Sequence, residues 1–183
     1  YVYCLNNPLK YIDPTGMAAN PIYDEDGNLL GTDDRGLQGK ALVMNKDDFK
    51  QGMSNKEALK KNLGKDGLKD ENARKNLVKS FSTLSQRPDY DGKLTLGEAN
   101  EWYRNGNGEP LYVDAAKIDL SPVTTKDLVL NKGEGINFAS PGKANTETGL
   151  VYGTLTLTLT NESTGAVRIG NQNTNKIDTY DFD

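Results

Sequence analysis

Leu150-Val151-Tyr152-Gly153-Thr154-Leu155-Thr156-Leu157-Thr158-Leu159-Thr160 is the most regular stretch of this 183-residue chain. Leucine recurs at every second position from 155 to 159, with threonines between. Successive side chains of an extended strand point to opposite faces, so the pattern puts a leucine row against a core and a threonine row in water. Asn161-Glu162-Ser163-Thr164-Gly165 then reads as a turn and Ala166 to Ile169 as a returning strand. Gly170 to Asn175 reads as a second turn and Lys176 to Phe182 as a third strand. The spacing predicts an antiparallel meander, or a partly open barrel, with one packed face.

Upstream, the periodicity changes to that of helices. Ser54-Asn55-Lys56-Glu57 is a capping box ahead of Ala58-Leu59, and Gly64 stands where a helix would stop. Asp70 is placed to cap the next helix, whose Ala73, Leu77, Phe81 and Leu84 recur on one face. Arg104-Asn105-Gly106-Asn107-Gly108-Glu109-Pro110 ends the helical part. Before it, Asp26-Gly27 lies between Ile22-Tyr23 and Leu29-Leu30 as a small hairpin, and Leu37 to Met44 reads as a further short strand or turn. Among the glycines and serines of 111–149, Leu128-Val129-Leu130 and Ile136-Asn137-Phe138 are short strand candidates. The expected fold class is α+β, a small helical region followed by the meander. The expected divisions are 1–17, a linker with a hairpin at 18–39, a helical region at 40–110 and a β-rich region at 111–183.

Composition narrows the chemistry. Histidine is absent, which excludes Ser-His-Asp and Cys-His catalysis and histidine-bearing zinc sites within this sequence. The single cysteine, Cys4, excludes an internal disulfide and a four-cysteine metal site. A net charge of −4 argues against a nucleic-acid binder, and a nuclease is disfavoured on the same ground. Lys40 to Lys79 holds 11 basic and 6 acidic residues, a local +5 against −9 elsewhere, without interleaved aromatics; it reads as a solvated helix face. No apolar run approaches the ~18 residues of a membrane span. The remaining chemistry belongs to carboxylates, hydroxyls, lysines, arginines or a hard metal ion.

Arg87-Pro88-Asp89-Tyr90-Asp91-Gly92-Lys93-Leu94-Thr95-Leu96-Gly97-Glu98 lies between helical patterns. It resembles an EF-hand loop, in which acids at the first, third and fifth positions converge on Ca²⁺, glycine at the sixth makes the turn and a twelfth-position glutamate binds bidentately. Asp89, Asp91 and Glu98 fall in register as metal ligands, while Arg87 puts a positive charge where the first ligand belongs. Thr95-Leu96-Gly97-Glu98 is equally a capping box for the next helix. Ca²⁺ binding at a degenerate loop and a metal-free helix-turn-helix both stand as expectations.

The chain opens Tyr1-Val2-Tyr3-Cys4-Leu5-Asn6-Asn7-Pro8-Leu9-Lys10-Tyr11-Ile12-Asp13-Pro14-Thr15-Gly16-Met17. From its residues alone this is two short strands punctuated by turns. It closely resembles the end of the core domain of Rhs (YD-repeat) proteins, with Tyr-x-Tyr-x-x-Asn-Asn-Pro followed by Asp-Pro-x-Gly. The resemblance implies a large β-cocoon shell, an aspartyl self-cleavage in which Asp13 is one of two carboxylates, and a scissile bond after Met17. Everything following would be a secreted effector. Neither end reads as a natural terminus, so the chain is expected to be part of a longer parent.

Near the other end, Tyr152-x-Gly-x-Leu155-Thr156-Leu157, a hairpin, and Asp178-Thr179-Tyr180-Asp181-Phe182 together resemble the active domain of colicin M-type bacteriocins, over about the last 35 residues. Those enzymes cut lipid II between the undecaprenyl carrier and its pyrophosphate, using a divalent metal such as Mg²⁺. The resemblance implies Asp178, Tyr180 and Asp181 as catalytic positions, with lipid II as substrate, an immunity protein as partner and the target cell's periplasm as the place of action. Carboxylates holding a hard cation suit a pyrophosphate linkage, whose charge must be neutralised while water is activated. On a regular strand Asp178 and Tyr180 share one face and Asp181 takes the other, so a twist or bulge would be needed to gather all three. The family's pattern continues into a basic pair past the point where this sequence stops, so the chain reads as an incomplete portion of an active parent. The alternative is a non-catalytic Rhs-associated interaction or Ca²⁺-binding module.

Overall fold

A computed structural model describes residues 20–142, 146–170 and 177–178. The fold class is α+β, with four α-helices and two three-stranded sheets among the described residues and no closed barrel. None of these helices is long and apolar enough to cross a membrane. The described residues divide into two compact units. One runs to Lys93 and includes Pro110–Asp114; the other comprises Leu94–Glu109 and the residues from Ala115 onward.

In the first unit, β1 (Pro21–Tyr23), β2 (Leu29–Thr32) and β3 (Leu42–Val43) form a sheet ordered β2-β1-β3. β1 is antiparallel to β2 and parallel to β3. As the central strand it is covered on both faces, and all three of its residues are buried. Ile22 packs with Leu42, Met44, Met53 and Ala58 of α1 (Asn55–Lys61). Tyr23 packs with Ala41, Val43 and Leu77 of α2 (Glu71–Thr83). The stretch expected as a linker hairpin thus supplies the centre of this core.

The expected caps are in place. Ser54 Oγ accepts from Glu57 N at 3.3 Å and Asp70 Oδ1 from Ala73 N at 2.8 Å. Ala73, Leu77 and Leu84 are buried as their spacing predicts. The β1–β2 turn is closed by Asp24, whose Oδ1 accepts from Asp26 N and Asn28 N at 3.0 and 2.8 Å. At its tip Gly27 has φ +79° and sits so close to α2 that a Cβ there would lie 2.1 Å from Ala73 O. Only glycine meets both demands.

A buried acid ties three elements of this unit together. Asp33 is 2% exposed. Its Oδ1 accepts from Asn20 N and Arg35 N at 3.2 and 3.0 Å, and its Oδ2 from Asn20 Nδ2 and Asn55 Nδ2 at 3.0 and 2.8 Å. Four N–H donors satisfy the carboxyl oxygens, which offsets the cost of removing them from water.

The second unit contains α3 (Leu96–Asn105), β4 (Gly133–Asn137), α4 (Thr146–Tyr152), β5 (Thr154–Asn161) and β6 (Ala166–Ile169). The sheet order is β4-β5-β6, antiparallel throughout. Leu155, Leu157 and Leu159 are buried with Phe138 and Leu128, as the alternation requires. Full burial contributes roughly 1.5–3 kcal/mol for each such side chain.

Two details differ from the sequence expectation. Leu150-Val151-Tyr152 closes helix α4 instead of opening the strand, and Gly153, at φ +60°, ends that helix in the left-handed conformation. Leu128-Val129-Leu130 forms no strand; Val129 and Leu130 make single bridges to Lys132 and Leu159. The strand expected over 176–182 lies outside the described residues except for Ile177 and Asp178, neither of which is in a strand. β4, with Gly133 and Gly135, is the third described strand and makes β5 the central one.

Candidate functional site

Ile177 is half-buried against the core around Leu155, Leu157 and Leu159, and Asp178 directly after it is exposed. The first acid of the colicin M-like signature therefore stands at the protein surface, next to a residue held by the sheet's core. Tyr180 and Asp181 lie outside the described residues, as do Asp13 and Met17.

The residues in EF-hand register have distinct partners. Asp89 is fully buried. Arg87 grips both its oxygens, Nε to Oδ1 and Nη2 to Oδ2, each at 2.9 Å, and Tyr112 N donates to Oδ2 at 2.7 Å. Arg87, the residue that breaks the calcium pattern, turns inward and places its guanidinium where it neutralises the third-position acid. Its Nη2 also donates to Pro110 O at 2.7 Å, and its guanidinium lies 5.4 Å from the centroid of the Tyr112 ring. Asp91 is exposed, with Oδ1 accepting from Lys93 N at 2.8 Å. Gly92 makes the expected turn at φ +79°. Glu98 completes the capping box of α3: its Oε2 accepts from Thr95 N and Oγ1 at 2.8 Å, and Thr95 Oγ1 accepts from Glu98 N. Among the described residues no three His, Cys, Asp or Glu side chains form a group that could hold one metal ion.

Among the described residues, the buried hydroxyls of Tyr23 and Thr158 have no hydrogen-bond partner. Burial pushes the Tyr23 phenol up to about 12, while the nearby Ser80 hydroxyl and Arg87 charge pull it down less strongly. Thr158 belongs to the threonine row of β5 and is 1% exposed. On that face its cross-strand partners are Gly133 and Arg168, and Gly135 stands opposite Thr156.

Arg168 is exposed and forms no ion pair among the described residues. The usable signal was a lone cation at the polar phase of Ala166-Val167-Arg168-Ile169. Tyr112 gave no local signal, since its role depends on a partner 23 residues away. Comparison with known protein families, with curated proteins and with solved structures finds no match to this chain.

Proposed function

We propose that this chain is the effector end of an Rhs-type secreted polymorphic toxin with a colicin M-like activity, the metal-dependent hydrolysis of lipid II in the periplasm of a target bacterium. Asp178 carries this reading: it opens the Asp-x-Tyr-Asp-Phe signature and is exposed beside a core-anchored residue. The β5–β6 hairpin preceding it supports the same order of elements. Two carboxylates and a phenol form an oxygen-rich donor set that fits a hard cation such as Mg²⁺. When bound, that ion supplies charge neutralisation at the diphosphate and acidifies a water. Asp178 and Asp181 are the residues to hold it or to take the water's proton, and Tyr180 is the residue to orient the phosphate. Hydrolysis adds water across the bond between carrier and diphosphate.

The N-terminal motif supports release of this effector from a parent shell by cleavage after Met17, with Asp13 as one of the acting carboxylates. An immunity protein in the producing cell is the expected partner. The test uses the full parent protein with lipid II and Mg²⁺, following release of the lipid carrier by chromatography. Turnover abolished by Asp181→Ala supports the proposal. Intact lipid II, together with stable capture of a protein partner, favours the adaptor alternative instead.

A further inference from the structure

We propose that Asn107 is a self-modifying site: its side chain closes onto the Gly108 amide, loses ammonia and reopens with water as aspartate or isoaspartate. This goes beyond the activity proposed above and does not rest on it.

Asn-Gly occurs twice in the sequence, at 105–106 and 107–108. Glycine hinders attack by its own backbone nitrogen least, because it carries no Cβ. The structure separates the two pairs. Asn105 is the last residue of α3, and the Gly106 N–H donates to Trp102 O at 2.6 Å. Gly106 is buried, and a Cβ there would stand 2.6 Å from both Trp102 Nε1 and Trp102 O. Its nitrogen is engaged at the helix end and has no room to turn.

Asn107 and Gly108 are exposed, at the centre of a turn closed by Glu109 N donating to Gly106 O at 2.9 Å. Their φ angles of +51° and +76° have the signs that a type I′ turn requires. Neither the Gly108 N–H nor the Asn107 side chain has a hydrogen-bond partner among the described residues. Nothing lies within 4 Å of a Cβ built at Gly108, so the peptide between them has space to rotate until Cγ meets the nitrogen. The glycine amides that follow Asp26 and Asp91 are engaged instead: Gly27 N donates to Asp24 O at 3.1 Å and Gly92 N to Asp89 O at 2.9 Å.

The step needs only water. Gly108 N gives its proton to base in the solvent and attacks Asn107 Cγ. The N–Cγ bond forms a five-membered imide as the Cγ–Nδ2 bond breaks, and Nδ2 takes up a proton and leaves as ammonia. Water then splits either imide C–N bond. Splitting at Cγ gives aspartate; splitting at the main-chain carbonyl gives isoaspartate, with an added methylene in the backbone. Either product takes the net charge from −4 to −5.

The test holds the full chain folded in mildly alkaline buffer and digests it on the acid side. Each asparagine is then read by fragment mass spectrometry, and isoaspartate is counted with an isoaspartyl methyltransferase. A gain of about 1 Da is expected at Asn107, the exchange of amide for acid. Its rate should exceed that at Asn105 by about 10-fold or more, since the Gly106 nitrogen is freed only by local opening of the helix end. In denaturant the two rates should converge. Gly108→Ala should slow the reaction at Asn107 several-fold and leave Asn105 unchanged. A folded chain that stays unmodified at Asn107, Asn105 keeping pace with it, a product without isoaspartate, or a rate difference that survives in denaturant overturns the proposal.

Discussion

Removing Asp89 is expected to be among the most damaging single changes in the first unit. Its side chain is fully buried and that of Arg87 is 11% exposed, so water recovers little when the pair is broken. Asp89→Ala removes the carboxylate that receives two N–H groups of the Arg87 guanidinium and the Tyr112 N–H. Breaking a buried pair from one side costs about 3–5 kcal/mol. At roughly 2–4 °C per kcal/mol for a chain of this size, the melting temperature should fall by about 6–20 °C. Replacing both partners, as Arg87→Met with Asp89→Leu, removes the two charges together and should cost less than Asp89→Ala alone. Urea denaturation followed by far-UV circular dichroism, on wild type, Arg87→Met, Asp89→Leu and their double, measures all four corners of the cycle, with Asp89→Ala run beside them. A loss under about 1 kcal/mol for Asp89→Ala, or single losses that simply add, would refute the clasp described here.

Alkaline stability should report on Tyr23. With its folded-state pKa pushed up to about 12 against 10.0 unfolded, the neutral phenol favours the folded state. That contribution is complete below pH 10 and lost as pH rises towards 12, and Tyr23→Phe should remove this dependence in pH-dependent melts. Gly27→Ala and Gly52→Ala share a positive φ, but a Cβ at 27 strikes Ala73 O while nothing lies within 4 Å of one at 52. The first should cost about 2–4 kcal/mol and the second only about 1 in denaturant titrations. Because Arg87 already occupies both Asp89 oxygens, millimolar Ca²⁺ should leave the melting temperature unchanged; a rise lost in Asp91→Ala would reverse that expectation.

What could be read from the chain beforehand was local. Leu155, Leu157 and Leu159 announce β5 because strand alternation needs no distant partner, and Ser54, Asp70 and Thr95 announce helix starts because a cap acts within three residues. The boundary at Gly153 was hidden, since Leu150-Val151-Tyr152 is too short to show either period. Of β4 the candidate Ile136-Asn137-Phe138 showed only the end, because Gly133 and Gly135 blank the alternation before it. Asp33 carries no local signal; its burial depends on Asn20 and Asn55, 13 and 22 residues away. Arg87 looked like a spoiled calcium ligand for the same reason, its meaning being supplied by Pro110 and Tyr112. Of the colicin M-like trio, Asp178 alone falls within the described residues.

The backbone passes from the first unit to the second after Lys93, returns at Pro110 and leaves again after Asp114. A nick at any single peptide bond between residues 93 and 115 therefore divides the chain of at least one unit. Proteolysis in the glycine-bearing stretch Gly106-Asn107-Gly108 would leave two pieces that each hold part of both units. Such pieces should migrate as one species on a native gel and part only in denaturant, so this chain would tolerate a protease scar that would split a beads-on-a-string protein.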